Sequence, residues 1–413
     1  MYDQIKSSNN SSPHRRLSQH LSNLAPMIVG ALMTLLITPT TTLAATDTST
    51  PDPQPSIDTF TAELSANPTN NRTLSTLYLN RGKAYLDMGA TQNALQDLNS
   101  SLAISPNNAE TLYELAAFYT YEKDPENAAA YFDKSADAGH PDAIFEQAIQ
   151  LAQLKKYKNA LSKYNQLLAL FSANLPQTMN QPSQTKDGIV VSANQRAAYL
   201  LERGNTYLAL DEYENAISDY SSALNFTDTL TPIYLNRGTA YLNRQDYDQA
   251  IADFSIVLDR DPSHTDAHFL KGKAHLFHAD YPNAIHHLTI ANDAAPNVTY
   301  STLLTEAYFY NANYTTATRL ATNLLSTSPN KTELLFYIGY GQIASQNYTA
   351  AIDTLTDAIN HSDSVSHIVK DCFFYRGFAY WYTDQIPKTI ADFKKAKKLG
   401  KSEADMYLKK HFK

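Results

Sequence analysis

Residues 78–85 read Tyr-Leu-Asn-Arg-Gly-Lys-Ala-Tyr, and residues 234–241 read Tyr-Leu-Asn-Arg-Gly-Thr-Ala-Tyr. Leu-Leu-Glu-Arg-Gly-Asn-Thr-Tyr at 200–207 and Phe-Phe-Tyr-Arg-Gly-Phe-Ala-Tyr at 373–380 keep the same frame. Self-similarity at a fixed period is the sequence signature of stacked repeats, each too small to bury its apolar face alone. Laid out at 34 residues, nine units begin near 75, 109, 141, 197, 231, 265, 298, 332 and 370. Position 8 of the unit holds Gly82, Gly204, Gly238, Gly272, Gly339 and Gly377, half of the 12 glycines. Position 17 holds Tyr157, Tyr213, Tyr247, Tyr281, Tyr314 and Tyr348. Position 20 holds Ala94, Ala128, Ala160, Ala216, Ala250, Ala284, Ala317 and Ala351, with Thr389 the one departure.

These columns describe a helical hairpin. Positions 4, 8 and 11 fall on one helical stripe, and positions 20, 24 and 27 on another. A glycine inside a helix costs about 1 kcal/mol relative to alanine, so something must offset it six times. Close approach of the second helix does so, with the alanine at position 20 expected to meet the glycine. Pro106, Pro262, Pro296 and Pro329 close their units at position 32, and Pro282 and Pro387 open second helices, where the missing N–H is harmless.

The pattern resembles the tetratricopeptide repeat: bulky at 4, small at 8, aromatic at 11, alanine at 20, aromatic or leucine at 24, proline at 32. The resemblance covers about residues 75–403. It implies an all-α, right-handed α-solenoid of about nine helix-turn-helix hairpins. Repeat seven departs with Thr305 at the glycine position, and repeat three lacks the closing proline. The second repeat ends Asp137-Ala-Gly-His-Pro-Asp142 and drifts toward the related Sel1-like type. Residues 56–66 are expected to form a leading half-hairpin, and 403–413 a helix capping the last apolar face.

The organisation expected is therefore a targeting segment at 1–44, a flexible lead-in at 45–55, a first block at 56–172, a mobile loop at 173–194 and a second block at 195–413. In the targeting segment Lys6, His14, Arg15 and Arg16 precede the apolar run Met27–Ile37, and Thr42-Leu43-Ala44 offers small residues for cleavage. That run is short for a bilayer span, so a removed signal peptide and a periplasmic or extracellular location are expected. An uncleaved anchor is the alternative. The inserted loop carries Pro176, Pro182 and Gly188 and fits no column.

Arginine at position 7 is accompanied by aspartate at position 23 in the same four repeats: Arg81 with Asp97, Arg203 with Asp219, Arg237 with Asp253, Arg376 with Asp392. Each is expected to join the two helices of its hairpin as an ion pair.

Composition narrows the function classes. A net charge of −8 argues against a nucleic-acid binder. The single cysteine, Cys372, excludes an intrachain disulfide or a multi-thiolate metal site. No HExxH or GxSxG occurs, and Gly400-Lys401-Ser402 lacks the upstream glycine of a phosphate loop. A non-catalytic protein without cofactor or bound metal is expected. Six of the 12 histidines (His264, His268, His275, His278, His286 and His287) crowd repeat six. They read as structural substitutions and solvated surface, with a metal site or a pH-responsive joint as alternatives. Residues 388–413 carry nine lysines against Asp392, Glu403 and Asp405; this reads as solvated surface, with contact to an acidic partner or anionic lipid as the alternative.

In the family that the chain resembles, first helices line a concave groove with positions 2, 5, 9 and 12–13 facing it. In repeats six to nine those positions hold Phe269, Phe277, Phe309, Tyr310, Phe336, Tyr340, Ile343, Phe374, Phe378, Trp381 and Tyr382. The resemblance thus implies a scaffold holding a protein or peptide partner against aromatic residues. A self-associating structural solenoid is the second reading.

Overall fold

The computed structural model describes residues 53–66, 68–171, 183–184, 189–227, 231–362 and 368–412. The targeting segment lies outside the described residues, as do most of the lead-in and of the inserted loop. Contacts divide the chain into an N-terminal unit ending at Ala240 and a C-terminal unit beginning at Tyr241.

The N-terminal unit runs α1 (Gln54–Ser65), α2 (Asn71–Asp87), α3 (Thr91–Ile104), α4 (Ala109–Tyr121), α5 (Pro125–Asp137), α6 (Pro141–Gln153) and α7 (Tyr157–Ala169). After a two-residue ladder pairing β1 (Ser183–Gln184) antiparallel with β2 (Val190–Val191) come α8 (Ala193–Ala209) and α9 (Tyr213–Ala223). The division falls in the sequence of α10 (Thr231–Asn243). The C-terminal unit continues with α11 (Tyr247–Arg260), α12 (Thr265–Phe277), α13 (Tyr281–Ala294), α14 (Val298–Tyr310) and α15 (Tyr314–Leu324). It ends with α16 (Lys331–Ala344), α17 (Tyr348–Asn360), α18 (Val369–Tyr382), α19 (Ile386–Lys398) and α20 (Ser402–His411). From α1 to α9 and from α11 to α20 every helix packs on the next in sequence, so each unit forms an all-α solenoid. None of the described helices is long and apolar enough to cross a membrane.

The position-20 residues form the seam of each hairpin, and all nine are buried, Thr389 included. The glycine column works differently from the sequence expectation. A Cβ at Gly339 would lie 2.6 Å from Leu355 Cγ, and one at Gly204 would lie 2.6 Å from Tyr220 Cε1. Leu355 and Tyr220 sit at position 24, one turn beyond the alanine. The glycine makes room for this large side chain, and the alanine lets the two backbones come close enough to need that room.

The turn inside each hairpin shows a regularity absent from the residue types. Position 15 has positive φ in every repeat, at Gly89, Lys123, Lys155, Asp211, Gln245, Ala279, Ala312, Gln346 and Asp384. Each first helix closes with a bond from the position-16 N–H to the position-11 carbonyl, such as Asn313 N–H to Tyr308 O at 2.9 Å, the Schellman closure. The bond demands a left-handed residue, and only the first repeat supplies glycine. Ala312 is exposed and adopts φ 59°, so Ala312→Gly removes backbone strain and no packing. It is expected to raise stability by about 1 kcal/mol in denaturant melts. An unchanged midpoint would show that the alanine sits there without strain.

Arg81, Arg203 and Arg376 each make the expected contact with their aspartate, and each contact is bidentate. Arg81 donates to Asp97 at 2.6 and 2.8 Å, Arg203 to Asp219 at 2.7 and 2.6 Å, and Arg376 to Asp392 at 2.8 and 2.9 Å. The fourth, Arg237 with Asp253, straddles the boundary between the two units. Each of the three arginines also reaches a third helix through Nη1, to Thr61 Oγ1, Asn165 Oδ1 and Thr356 Oγ1 respectively. The guanidinium therefore ties its hairpin to the preceding one as well as closing it.

The insertion is not wholly irregular. Besides the β1–β2 ladder, Val191 is buried against Phe171, Ile144, Leu167 and Tyr199. Ser192 and Gln195 form a capping box that starts α8 at Ala193. The Ser-x-x-Gln spacing carries that signal in the sequence.

Candidate functional site

The aromatic residues read as groove-lining divide by burial. Phe269, Phe336, Tyr340, Phe374 and Phe378 are buried in the core of the C-terminal unit, and Ile343 with them. Phe277, Phe309, Tyr310 and Trp381 are partly buried, and Tyr382 is exposed. The reason is stacking between neighbouring first helices. Phe309 packs on Tyr337 and Tyr340 at centroid distances of 4.7 and 5.0 Å, and Phe336 packs on Tyr375 at 5.8 Å. α20 then covers the end as expected, with Tyr407 4.9 Å from Phe378, and His411 and Phe412 5.0 and 5.2 Å from Trp381. Five of the ten are therefore packing residues as the unit stands.

The polar residues at positions 2, 6 and 9 of the first helices form a more distinctive set. In the N-terminal unit they satisfy one another. Lys83 at position 9 donates to Glu110 at 2.7 Å and lies 3.0 Å from Glu114, positions 2 and 6 of the next repeat. Buried His140, 2.9 Å from Glu110 and stacked on Tyr113 at 4.1 Å, completes the group. The hydrogen bond from His140 outweighs burial and, with Lys83, holds the Glu110 carboxyl down to about 2. Further along, Tyr199 donates to Asp142 at 2.5 Å, and Asn205 Oδ1 accepts from Tyr220 and Asn236 at 2.8 Å each.

In the C-terminal unit the same positions hold ionisable groups with no ion pair among the described residues. Lys273, at position 9 of α12, is 6% exposed, and its ammonium lies 5.7 Å from the centroid of the Phe277 ring. Burial pulls its pKa down to about 8, with no carboxylate lifting it back. Glu306, at position 9 of α14, is 9% exposed and makes no hydrogen bond or ion pair among the described residues. Burial, then the neighbouring Glu333 carboxylate, push it well above the usual carboxylate range. Glu333 accepts from Tyr337 Oη at 3.2 Å. None of these polar residues of the C-terminal unit was expected from the sequence as a site. The signal that could have found them is the register: Glu306 and Glu333 stand 27 apart, as do Lys83 and Glu110.

The histidines of repeat six have separate structural tasks. His264 caps α12 by accepting from Ala267 N–H at 3.3 Å, and exposed His278 lies 3.5 Å from Asp248. His268 Nε2–H donates to Pro262 O at 3.0 Å, so in the neutral ring Nδ1 accepts from His287 Nδ1–H, also at 3.0 Å. Burial, then the charges of Lys271 and the other histidines, drive the His287 ring down to about 3. Among the described residues no group of three or more His, Cys, Asp or Glu could hold a metal ion.

Residues 75–108, 197–227 and 235–298 match sequence models described as the tetratricopeptide repeat. The chain contains tetratricopeptide repeats. These are the repeats of a protein–protein interaction scaffold, on a fold typical of non-enzymatic proteins. No functionally curated protein matches it. Solved structures similar to this chain include a tetratricopeptide repeat protein from Parabacteroides merdae, 17% identical with TM-score 0.43, covering 65% of this chain and 97% of that one. The C-terminal part of a TPR repeat-containing protein from Cytophaga hutchinsonii is 19% identical with TM-score 0.47, covering 64% and 99%. MamA from Desulfovibrio magneticus is 19% identical with TM-score 0.39, covering 41% and 96%.

Proposed function

We propose that the protein is an exported scaffold that binds a protein or peptide along the first-helix face of its C-terminal unit. The observation that carries this reading is the contrast within that row of positions. Where the N-terminal unit closes Lys83 onto Glu110 and Glu114, the C-terminal unit leaves Lys273 and Glu306 buried with no ion pair among the described residues. A buried ionisable group without a partner is costly whether it stays charged or is neutralised, and a binding surface is where such a cost is recovered when the partner arrives. Exposed Tyr382 and partly buried Tyr310 and Trp381 supply aromatic surface on the same set of helices. The N-terminal basic stretch and the short apolar run Met27–Ile37 support export.

Photo-crosslinking tests the binding face. A crosslinker at exposed Thr299, at position 2 of α14, is expected to capture a partner in the envelope. One at exposed Arg319 on the second helix of the same hairpin is expected not to. Equal capture at both positions would remove the assignment to the first-helix face, and adducts only between copies of the chain would favour self-association. The same preparation tests export: a mature N-terminus near Ala45 supports it, and an intact Met1 in the cytosolic fraction overturns it.

A further inference from the structure

The second charged group of the C-terminal unit has an internal precedent. Lys83 at position 9 of the first repeat is held by two carboxylates of the next, Glu110 and Glu114, at 2.7 and 3.0 Å. Repeats seven and eight keep the register and change the charges. Glu306 stands where Lys83 does, Glu333 where Glu110 does, and Tyr337 where Glu114 does. The seat that holds an ammonium between acids in the first repeats is acidic on both sides here, and among the described residues no cation pairs with Glu306. Lys273, one repeat earlier, takes no lift from either carboxylate, so it does not fill the gap.

The walls suit the same guest. Tyr310 stacks on Tyr281 at 5.8 Å, Tyr337 donates to Glu333 at 3.2 Å, and the Glu306 and Glu333 carboxylates both act on the hydroxyls of Tyr310 and Tyr337. Aromatic faces and carboxylates together attract ammonium and guanidinium groups. A metal ion is a poor match, because no set of three or more ligating residues converges among the described residues. Without a guest, Glu306 is a nine-tenths buried acid with neither hydrogen bond nor ion pair among the described residues.

We propose that Glu306 and Glu333, walled by Tyr281, Tyr310 and Tyr337, form a receptor for one organic cation, the ammonium or guanidinium of a lysine or arginine side chain in the bound partner. This rests on the reading of the first-helix face as a peptide-binding surface. The partner completes between repeats seven and eight the contact that Lys83 completes between repeats one and two. Glu333, partly buried and hydrogen-bonded by Tyr337, offers one carboxylate to the cation; Glu306 offers the second, releasing its proton to solvent as the cation enters.

The test is binding of a library of blocked heptapeptides to the purified chain, read by fluorescence anisotropy. Lysine or arginine at one position of the bound peptides is expected, with citrulline there weakening binding about 10- to 100-fold, the range of a charge-assisted contact. Glu306→Gln is expected to weaken binding by the same factor while raising the melting temperature, since it removes a buried acid. Glu306→Lys, which recreates the Lys83–Glu110 pairing with Glu333, is expected to fold and to lose the preference for basic peptides. Peptides held equally well with citrulline, or equally well by Glu306→Gln, would overturn the receptor and leave the binding face standing. Spermidine bound as tightly as the best peptide would overturn the peptide as its occupant. Failure of every peptide to bind would remove the binding face and the receptor together.

Discussion

Arg376→Met is expected to lower the stability of the C-terminal unit by about 3–5 kcal/mol, the usual cost of stranding one member of a buried ion pair. Asp392 is 5% exposed and receives both of its charge-assisted hydrogen bonds from this guanidinium, at 2.8 and 2.9 Å. Methionine fills much of the volume but donates nothing, so the carboxylate must stay charged without a partner or take up a proton. The third contact, to Thr356 Oγ1 at 2.9 Å, goes as well, loosening the hairpin from α17. A thermal or urea melt reads the loss. Replacing both residues, Arg376→Met with Asp392→Leu, is expected to recover most of it, because an apolar pair needs no compensation. If the double variant is as unstable as the single one, the arginine acts through packing on Phe373 and Tyr380, 5.4 and 5.7 Å from its guanidinium carbon, and the charge is secondary.

Lys273→Met is expected to act in the opposite direction, raising stability at pH 7 by ~3 kcal/mol. The lysine falls from an ordinary 10.5 to about 8 in the folded chain because it is buried with no carboxylate beside it. Between pH 8 and 10.5 the unfolded chain holds a proton that the folded chain has released. The penalty is therefore complete below pH 8 and disappears as the pH climbs through that window. The difference in stability between parent and variant should shrink from pH 8 to pH 10.5, and its constancy across that range would show that the ammonium is solvated. A fold that keeps such a residue in spite of its cost is consistent with a role at the first-helix face, as with Glu306.

Both residues show how far the linear order of residues reaches. Arg376 with Asp392 could be paired from the columns because the contact lies inside one hairpin, 16 residues apart, and recurs. The third contact, to Thr356, was not, because it crosses to the preceding hairpin: Asn165 and Thr356 both stand at position 25, but they differ in residue type and lie 38 and 20 residues before their arginines. The left-handed turn at position 15 left no mark because eight of its nine residues are not glycine; the backbone closure imposes the conformation whatever the side chain.

The 34-residue period, the glycine, alanine and proline columns and the charge at position 7 determined by themselves that the chain folds into helical hairpins, where the second helices start, and that a last helix must cap the stack. Those features rest on contacts within a hairpin, and such contacts repeat with the sequence. Tertiary structure alone decided which aromatic residues are core and which face out. Phe374 and Phe378 look alike in the sequence whether or not α20 lies over them, and Tyr407 beside both rings settles it. It also decided that the glycine faces position 24, and that Glu306 meets a second carboxylate where Lys83 meets its counter-ions. Burial and pairing at these positions depend on the neighbouring repeat, and a residue's own column does not record what that neighbour brings.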